Sequence, residues 1–142
     1  MGQKLFVSGV YRGVDVAELL RGRLNIQSAK LIGIDPWLIN PYFEMCGKIN
    51  FQTHEGEECL AGYVSEILND IRAKYKEYGI KDEPFVICKA DAGTYGMGIM
   101  TVKDASEVVG LNRKQRNKMA VVKEGLEVHE VLVQEGVYTY ET

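Results

Sequence analysis

The sequence predicts a mixed α+β fold, and three observations support this. The 142 residues are 46% hydrophobic and 26% charged, which is ordinary for a globular domain and excludes disordered and collagen-like chains. One long apolar stripe at helical spacing occupies residues 57–78. After Pro84, three short apolar runs of strand type follow one another, separated by glycine-rich and polar segments.

Charge and hydropathy exclude several classes of protein. The formal net charge of −3 argues against electrostatic binding of the chain as a whole to nucleic acid or to an anionic membrane. No stretch approaches the roughly 20 apolar residues that a membrane-spanning helix needs. The first residues, MGQKLFVSGVYRG, do not form a signal peptide, because the apolar run is short and Arg12 interrupts it. Cys46, Cys59 and Cys88 lack CxxC spacing, which favours reduced thiols in the cytoplasm over a zinc site.

Residues 1–56 carry weak patterns. The predicted elements are a strand over residues 4–10, a short helix over 14–21, a buried strand over 29–34 and an irregular segment over 36–41. The buried strand is expected to run into a turn at Asp35-Pro36, because a residue before proline avoids the helical conformation.

Residues 57–78 are predicted to form one amphipathic helix. Its apolar stripe consists of Leu60, Tyr63, Val64, Ile67, Leu68, Ile71, Tyr75 and Tyr78. Gly79 suits the position just past the end of a helix. The polar turn at 81–84 then marks a boundary. We therefore expect an N-terminal α/β region over residues 1–83 and a second subdomain over residues 84–142.

The second subdomain has its own order of elements. Strands are predicted at Phe85–Cys88, Ile99–Val102 and Val131–Val133. Between the last two, Asp104 or Ser106 is expected to cap a helix that extends to about Met119.

The segment from Lys89 to Gly98, with the sequence KADAGTYGMG, is the strongest candidate for a binding site. Its three glycines permit positive φ angles and a close approach of the backbone to a ligand. Such a loop can turn several N–H groups toward phosphate oxygens. Lys89 adds a full positive charge, and Thr94 adds a hydroxyl donor. The pattern predicts a phosphate-binding loop between two strands.

Known phosphate loops differ from this one in spacing. The pattern GxxxxGK[ST] is absent, and the glycine order is GxxGxG rather than GxGxxG. A loop between two strands is closer to the flap of protein kinases, although the kinase lysine comes after its loop. A plain hairpin, whose glycines serve only the turn, has roughly one chance in four.

A second candidate lies at Glu130–Val137, where an apolar strand ends in Gln134 and Glu135 and then a glycine. A strand end that opens into a hinge offers the backbone donor and acceptor that adenine needs. Taken alone, an ordinary strand end would be favoured by about two to one.

Together these motifs resemble a known family. KADAGTYGMGIMTV, LNRKQRNKMAVVKEGLEVHEV and LVQEGVYT resemble the proteobacterial glutamate–cysteine ligases of the ATP-grasp fold, nearly continuously from Pro84 to Glu141. DPWLINPYF and IRAKYKEYGI are similar as well. The resemblance implies ATP- and Mg²⁺-dependent joining of the γ-carboxyl of L-glutamate to the amine of L-cysteine through an acyl phosphate, the first step of glutathione biosynthesis.

The resemblance also implies roles for particular residues. Lys89 would contact the nucleotide phosphates, and Gln134 to Val137 would form the hinge beside adenine, with Glu135 and the Val137 backbone as the main contacts. Lys123 is a weaker nucleotide candidate. The flap over the phosphates would consist of Gly93, Thr94, Tyr95, Gly96, Met97 and Gly98. No catalytic residue is assigned.

One departure from the family concerns the ligands of Mg²⁺. ATP-grasp enzymes take their Mg²⁺ ligands from a strand well after the hinge, whereas this sequence has five residues after Val137. We therefore expect this chain to be part of a ligase that lacks the metal-binding lobe. Alone it is expected to be inactive or nearly so, and the rest of the enzyme is expected to be a further partner. The alternative is a non-catalytic binding or scaffold module with a degenerate nucleotide site.

Other features have simpler explanations. The basic run at 112–118 suggests an RNA-binding helix, but a solvated helix face is favoured by about four to one. His54 and His129 lack metal-ligand spacing. Asp91 is explained by turn geometry in preference to acid or metal chemistry. Cys88 is expected to face away from Lys89 as an inert buried thiol.

Overall fold

The computed structural model describes residues 10, 11, 14, 15, 29, 31–91, 98–120 and 128–139. The chain divides into two compact units, Met1–Pro41 and Tyr42–Thr142. Within the described residues, no helix has the length and apolar character that crossing a membrane requires. The division expected at residues 83 and 84 stays a prediction.

In the first unit, β1 (Val10–Tyr11) pairs with β2 (Val14–Asp15) in an antiparallel ladder. The short helix predicted over residues 14–21 is therefore wrong at its first two residues, where the β-branched Val14 favours an extended backbone. Residues 16–21 and residues 4–9 of the predicted first strand lie outside the described residues.

The buried strand predicted over residues 29–34 is wrong. Ala29 and Leu31 are helical, and the Ile34 N–H donates to the Ala29 carbonyl at 2.9 Å, as at the end of a helix whose following glycine has positive φ. Gly33 supplies that φ of 73°. Leu31 is 86% exposed and Ile32 is 68% exposed. A short apolar run cannot distinguish strand from helix, which explains the error.

The segment after Asp35 contains a short 3₁₀ turn, Pro36–Leu38, within the region predicted to be irregular. The Asp35 side chain caps this turn by accepting a hydrogen bond from the Trp37 N–H at 3.0 Å. Trp37 is buried.

The second unit is built on a four-stranded sheet. Its strands are β3 (Phe43–Gly47), β4 (Val86–Ala90), β5 (Ile99–Val102) and β6 (Glu130–Glu135). They lie in the order β3-β6-β4-β5, and each neighbouring pair is antiparallel. The predicted strands β4, β5 and β6 are confirmed. β3 was not predicted, because only Cys46 among its five residues is buried and no alternation marks it.

Helix α1 (Glu57–Tyr78) confirms the predicted amphipathic helix and packs against β3, β4 and β6. It ends at Gly79, which has a φ of 67°. The buried stripe consists of Leu60, Val64, Ile67, Leu68, Ile71 and Tyr75. On the sheet, the residues that alternate into the core are Cys46, Val86, Cys88, Ala90, Val102, Val131, Val133 and Glu135. The core therefore lies between α1 and one face of the sheet.

The opposite face of the sheet is only partly covered, and we call it the open face. By strand register it consists of Phe43, Met45, Ile87, Lys89, Ile99, Thr101, Leu132 and Gln134. Gln134 is buried, whereas Met45 and Thr101 are exposed and the remaining five are half-buried. Because successive side chains alternate between faces, the sequence of each strand decides which groups appear here.

The single helix predicted from Asp104 to about Met119 is two separate elements. A 3₁₀ turn covers Ala105–Val108, and helix α2 covers Arg113–Ala120. The Asp104 cap is confirmed, since its side chain accepts from the Ser106 N–H at 2.9 Å. The elements are separated because Val109 is extended and Gly110 adopts a φ of 70°, neither of which continues a helix.

Glu57, at the start of α1, ties that helix to the turn before α2. Its carboxylate lies 2.8 Å from His54 Nδ1 and accepts a hydrogen bond from the Gly110 N–H at 3.3 Å. Glu57 is buried, so its two oxygens are satisfied by protein groups. His54 thus pairs with the first residue of α1.

Candidate functional site

Lys89 lies on β4 with its side chain on the open face, half-buried between the two neighbouring strands. It stands opposite Ile99 on β5 and Leu132 on β6. Its Nζ donates a hydrogen bond to Oε1 of Gln134 at 3.2 Å. The sheet thus places one ammonium group at the end of β4, where the glycine-rich loop begins.

The ends of the glycine-rich loop are held by backbone hydrogen bonds. The Ala90 N–H donates to the Gly98 carbonyl at 2.7 Å, and the Gly98 N–H donates to the Lys118 carbonyl on α2 at 3.2 Å. Gly98 has a φ of 67°, a conformation that favours glycine. The predicted arrangement of strand, loop and strand is confirmed by the β4–β5 ladder. Gly93, Thr94, Tyr95, Gly96 and Met97 lie outside the described residues.

Gln134 and Glu135, at the end of β6, face opposite sides of the sheet. Gln134 lies on the open face beside Lys89. The Glu135 side chain is 1% exposed, and its Oε2 accepts a hydrogen bond from the Tyr42 N–H at 2.9 Å. The Glu135 N–H donates to the Tyr42 carbonyl at 2.8 Å. The carboxylate of Glu135 is thus part of the attachment of β6 to the residue before β3.

The hinge after β6 packs closely on Phe85. The Gly136 N–H donates to the Phe85 carbonyl at 2.8 Å. A Cβ atom at position 136 would overlap Cε2, Cδ2 and Cζ of the Phe85 ring. Tyr138 meets the same ring edge to face, with centroids 4.9 Å apart, and its hydroxyl donates to the Glu83 carbonyl at 2.7 Å. These contacts fix the backbone on both sides of Val137, which is half-buried.

Comparison with known proteins decides the family. The family model described as Glutamate-cysteine ligase matches residues 22–142, which is most of the chain. This chain belongs to the glutamate–cysteine ligase family. No curated protein shows significant similarity to it.

A solved structure supports the same assignment. It is the 1.90 Å crystal structure of a protein from Methylobacillus flagellatus KT that is provisionally named gamma-glutamylcysteine synthetase. That protein is 63% identical to this ligase-family chain, and the two structures align with a TM-score of 0.77. The match covers 87% of this chain and 29% of that one, so this chain spans under a third of the related structure.

Cys88 neighbours Lys89 in this ligase-family chain but faces the core. It is fully buried, and burial raises the pKa of its thiol to about 12, with a smaller contribution from the nearby Cys46. A thiol with so high a pKa stays protonated at neutral pH and is a poor nucleophile. The expected burial of Cys88 is confirmed, and its low reactivity stays a prediction.

Two further candidates from the sequence are Lys123 and Asp91. Lys123 lies outside the described residues. Asp91 is exposed and follows the end of β4. Within the described parts of the chain, no three His, Cys, Asp or Glu side chains form a group that could hold a metal ion.

The basic run at 112–118 forms most of α2. Arg113, Lys114 and Lys118 are exposed. Arg116 is half-buried, and its guanidinium donates to the Leu111 carbonyl at 2.6 Å. One of the four cations in this helix therefore caps the turn that precedes it.

Two relationships were not predicted from the sequence. The pairing of Gln134 with Lys89 depends on the β4–β6 register, which no local pattern reveals. The contact of Phe85 with Gly136 was also missed, although a glycine that directly follows a buried strand is a signal for close packing.

Proposed function

We propose that this chain contributes the nucleotide-binding part of a glutamate–cysteine ligase, with an ATP-grasp arrangement of its sheet and flap. The whole enzyme would use Mg·ATP to join the γ-carboxyl of L-glutamate to the amine of L-cysteine and release ADP and phosphate. The observation that carries this proposal is the position of Lys89. Its ammonium lies on the open face at the base of a glycine-rich loop whose ends are hydrogen-bonded.

The charge of Lys89 suits the nucleotide phosphates. Charge-assisted hydrogen bonds are roughly twice as strong as neutral ones, and the half-buried position of Lys89 limits screening by water. The residues from Gly93 to Gly98 would cover the phosphates with backbone N–H groups, and Thr94, Tyr95 and Met97 would belong to this flap. Lys123 would add a further contact.

The open face offers apolar surface for the adenine base of ATP. Leu132, directly opposite Lys89, and Ile87, two residues nearer the segment after β6, present half-buried aliphatic surface of the kind that an adenine ring requires. The backbone of Glu135 and Val137 would supply the polar contacts at the edge of the base. Phe85 and Tyr138 pack against this segment, which supports a hinge that would need no rearrangement when the nucleotide binds.

In the proposed reaction, the γ-carboxylate of glutamate attacks the terminal phosphorus of ATP, ADP leaves, and cysteine nitrogen displaces phosphate from the acyl phosphate. Lys89 would neutralise charge on the phosphates as the P–O bond breaks. Mg²⁺ supplies charge neutralisation and alignment when it is bound. The described residues offer no donor set that fits it, and we assign its ligands, with the two amino-acid sites, to other parts of the enzyme. Residues 1–142 alone are expected to be inactive or nearly so.

Limited proteolysis in the presence of Mg²⁺ and a non-hydrolysable ATP analogue tests the site. We expect millimolar analogue to slow cleavage between residues 89 and 98, and Lys89→Met to reduce that protection strongly. Lys76→Met is the matched control, because Lys76 is an exposed lysine on α1, and it should leave the protection intact. Equal protection in the Lys89→Met variant would refute the site.

Titration calorimetry separates the ligase proposal from the scaffold alternative. Binding of Mg·ATP that Lys89→Met weakens by about 10-fold or more, to an affinity still measurable at millimolar nucleotide, would support a nucleotide site. Absence of binding at millimolar nucleotide would instead favour a non-catalytic module. An assay for γ-glutamylcysteine tests the expected inactivity, which turnover by the isolated chain would refute.

A further inference from the structure

Gln134 and Lys89 meet diagonally across β4 and β6. Lys89 stands opposite Leu132, so Gln134, two residues further along β6, projects on the same face within reach of the lysine. The Oε1 atom of Gln134 accepts the hydrogen bond from Lys89 Nζ at 3.2 Å. Gln134 is only 5% exposed, although it lies on the open face. Its amide is therefore largely shielded from solvent.

We infer that Gln134 is a positioning residue that directs the Lys89 ammonium toward the nucleotide phosphates, and is not itself a nucleotide contact. This inference rests on the proposed function. A lysine side chain has several rotatable bonds, so an ammonium without a fixed partner samples many positions. The hydrogen bond to the buried amide oxygen of Gln134 restricts these positions. Because an ammonium has three N–H donors, this bond still permits further bonds to phosphate oxygens.

The acceptor of the Lys89 hydrogen bond is a neutral amide, which preserves the positive charge of the ammonium. A carboxylate at position 134 would also accept a hydrogen bond from Lys89, but it would cancel the charge that the phosphates need. The adjacent residue, Glu135, does carry a carboxylate, and strand alternation turns it to the core, where Tyr42 binds it. The end of β6 thus places the neutral acceptor on the lysine's side and the charged one on the other.

The decisive experiment is a double-mutant cycle on the 142-residue chain. Gln134→Met keeps the length of the side chain and removes the acceptor. Binding of the non-hydrolysable ATP analogue with Mg²⁺ is measured by calorimetry for wild type, Gln134→Met, Lys89→Met and the double variant. We expect Gln134→Met to weaken binding by about 3–10-fold in the wild-type background and to have no effect beside Lys89→Met. An equal loss in both backgrounds would show direct contact with the nucleotide and overturn the inference.

A spectroscopic measurement tests the positioning without nucleotide. The lysines are reductively methylated with ¹³C, and the Lys89 signal is assigned by its loss in Lys89→Met. We expect Gln134→Met to shift and narrow this signal, and Gln52→Met, at an exposed glutamine, to leave it unchanged. If the wild type binds no nucleotide, the proposed function fails, and this signal still decides the positioning role. An unchanged Lys89 signal in Gln134→Met would overturn it.

A second variant covers the case in which Gln134→Met does not fold. Gln134→Glu preserves the side-chain size and the acceptor oxygen. We expect the Lys89 signal to retain its restricted mobility, while affinity for the ATP analogue falls about 10-fold because the lysine charge is neutralised. Unchanged affinity in Gln134→Glu would contradict the inference.

Discussion

Glu135 and Tyr42 are joined by two hydrogen bonds that run in opposite directions. The Glu135 N–H donates to the Tyr42 carbonyl at 2.8 Å, and the Tyr42 N–H donates to Glu135 Oε2 at 2.9 Å. The Glu135 side chain thus extends the hydrogen-bonded ladder between β3 and β6 by one residue. The carboxylate is 1% exposed, so it is a structural element of the sheet's end.

We predict that Glu135→Ala lowers the free energy of unfolding by about 2–4 kcal/mol. The change leaves the Tyr42 N–H without its acceptor and opens a cavity in the core. Urea denaturation measures the loss. Glu130→Ala, at an exposed glutamate of the same strand, is the control and should change stability by less than about 0.5 kcal/mol. Similar losses in both variants would contradict the structural role of Glu135.

The contact of Gly136 with Phe85 gives a second prediction. Gly136→Ala should lower the free energy of unfolding by about 1–3 kcal/mol, because the new methyl group occupies the space of the aromatic ring. In the background of Phe85→Ala, the same change should be much less harmful. Thermal denaturation of the two single variants and the double variant measures this coupling. Strict additivity would show that the ring does not lie against Gly136.

Two other glycines should respond in opposite directions. Gly62 lies inside α1, and an added Cβ would meet nothing within 4 Å, so Gly62→Ala should stabilise the chain by about 0.5–1 kcal/mol. Gly79 has a φ of 67°, and Gly79→Ala should destabilise it by about 1 kcal/mol, although its Cβ also meets open space. Comparison of the two variants separates the effect of backbone conformation on stability from the effect of packing. A destabilising Gly62→Ala would contradict the position of α1.

The three thiols should differ in reactivity. Cys59 is exposed, whereas Cys46 and Cys88 are fully buried. Burial, with a smaller contribution from Cys59, raises the pKa of Cys46 to about 12, and burial raises that of Cys88 to about 12. At pH 8, iodoacetamide should therefore modify Cys59 first, and the other two only after denaturation. Mass spectrometry of the modified peptides measures the order. Early modification of Cys88 would contradict its burial.

The same thiols predict an alkaline loss of stability. Thiols in the unfolded chain ionise near the ordinary value of 9.0, whereas the buried ones do not ionise until about 12. Their contribution is fully present below pH 9 and is lost as the pH rises toward 12, because only the unfolded state gains thiolates. Urea denaturation from pH 8 upward measures this slope. Cys88→Ala should make the slope shallower, and an unchanged slope would exclude a contribution from that thiol.

The elements that could be predicted are those in which the apolar residues of the sequence are also the buried residues of the structure. Helix α1 follows from one unbroken stripe, and β4 and β6 follow from short apolar runs. β3 could not be predicted, because its pairing with β6 creates the strand while its own side chains are largely exposed. The run at 29–34 was wrongly predicted as a buried strand because it is apolar, whereas Leu31, Ile32 and Ile34 are exposed.

The candidate site shows the same limit. Lys89 and Gln134 could each be selected from the sequence by residue type and by their position at strand ends. Their hydrogen bond could not, because it depends on which residue of β6 stands opposite which residue of β4. The opposite orientations of Gln134 and Glu135 follow from alternation only once the face covered by α1 is known.

The place of β6 in the sheet has a consequence for synthesis on the ribosome. β6 follows every other described strand in the sequence, yet it lies between β3 and β4. Until it emerges, β3 lacks its described neighbour, and only the β4–β5 hairpin of the four-stranded sheet can form. Part of the apolar side of α1 therefore lacks its partner strand until residues 130–135 arrive, and aggregation competes with folding during this interval.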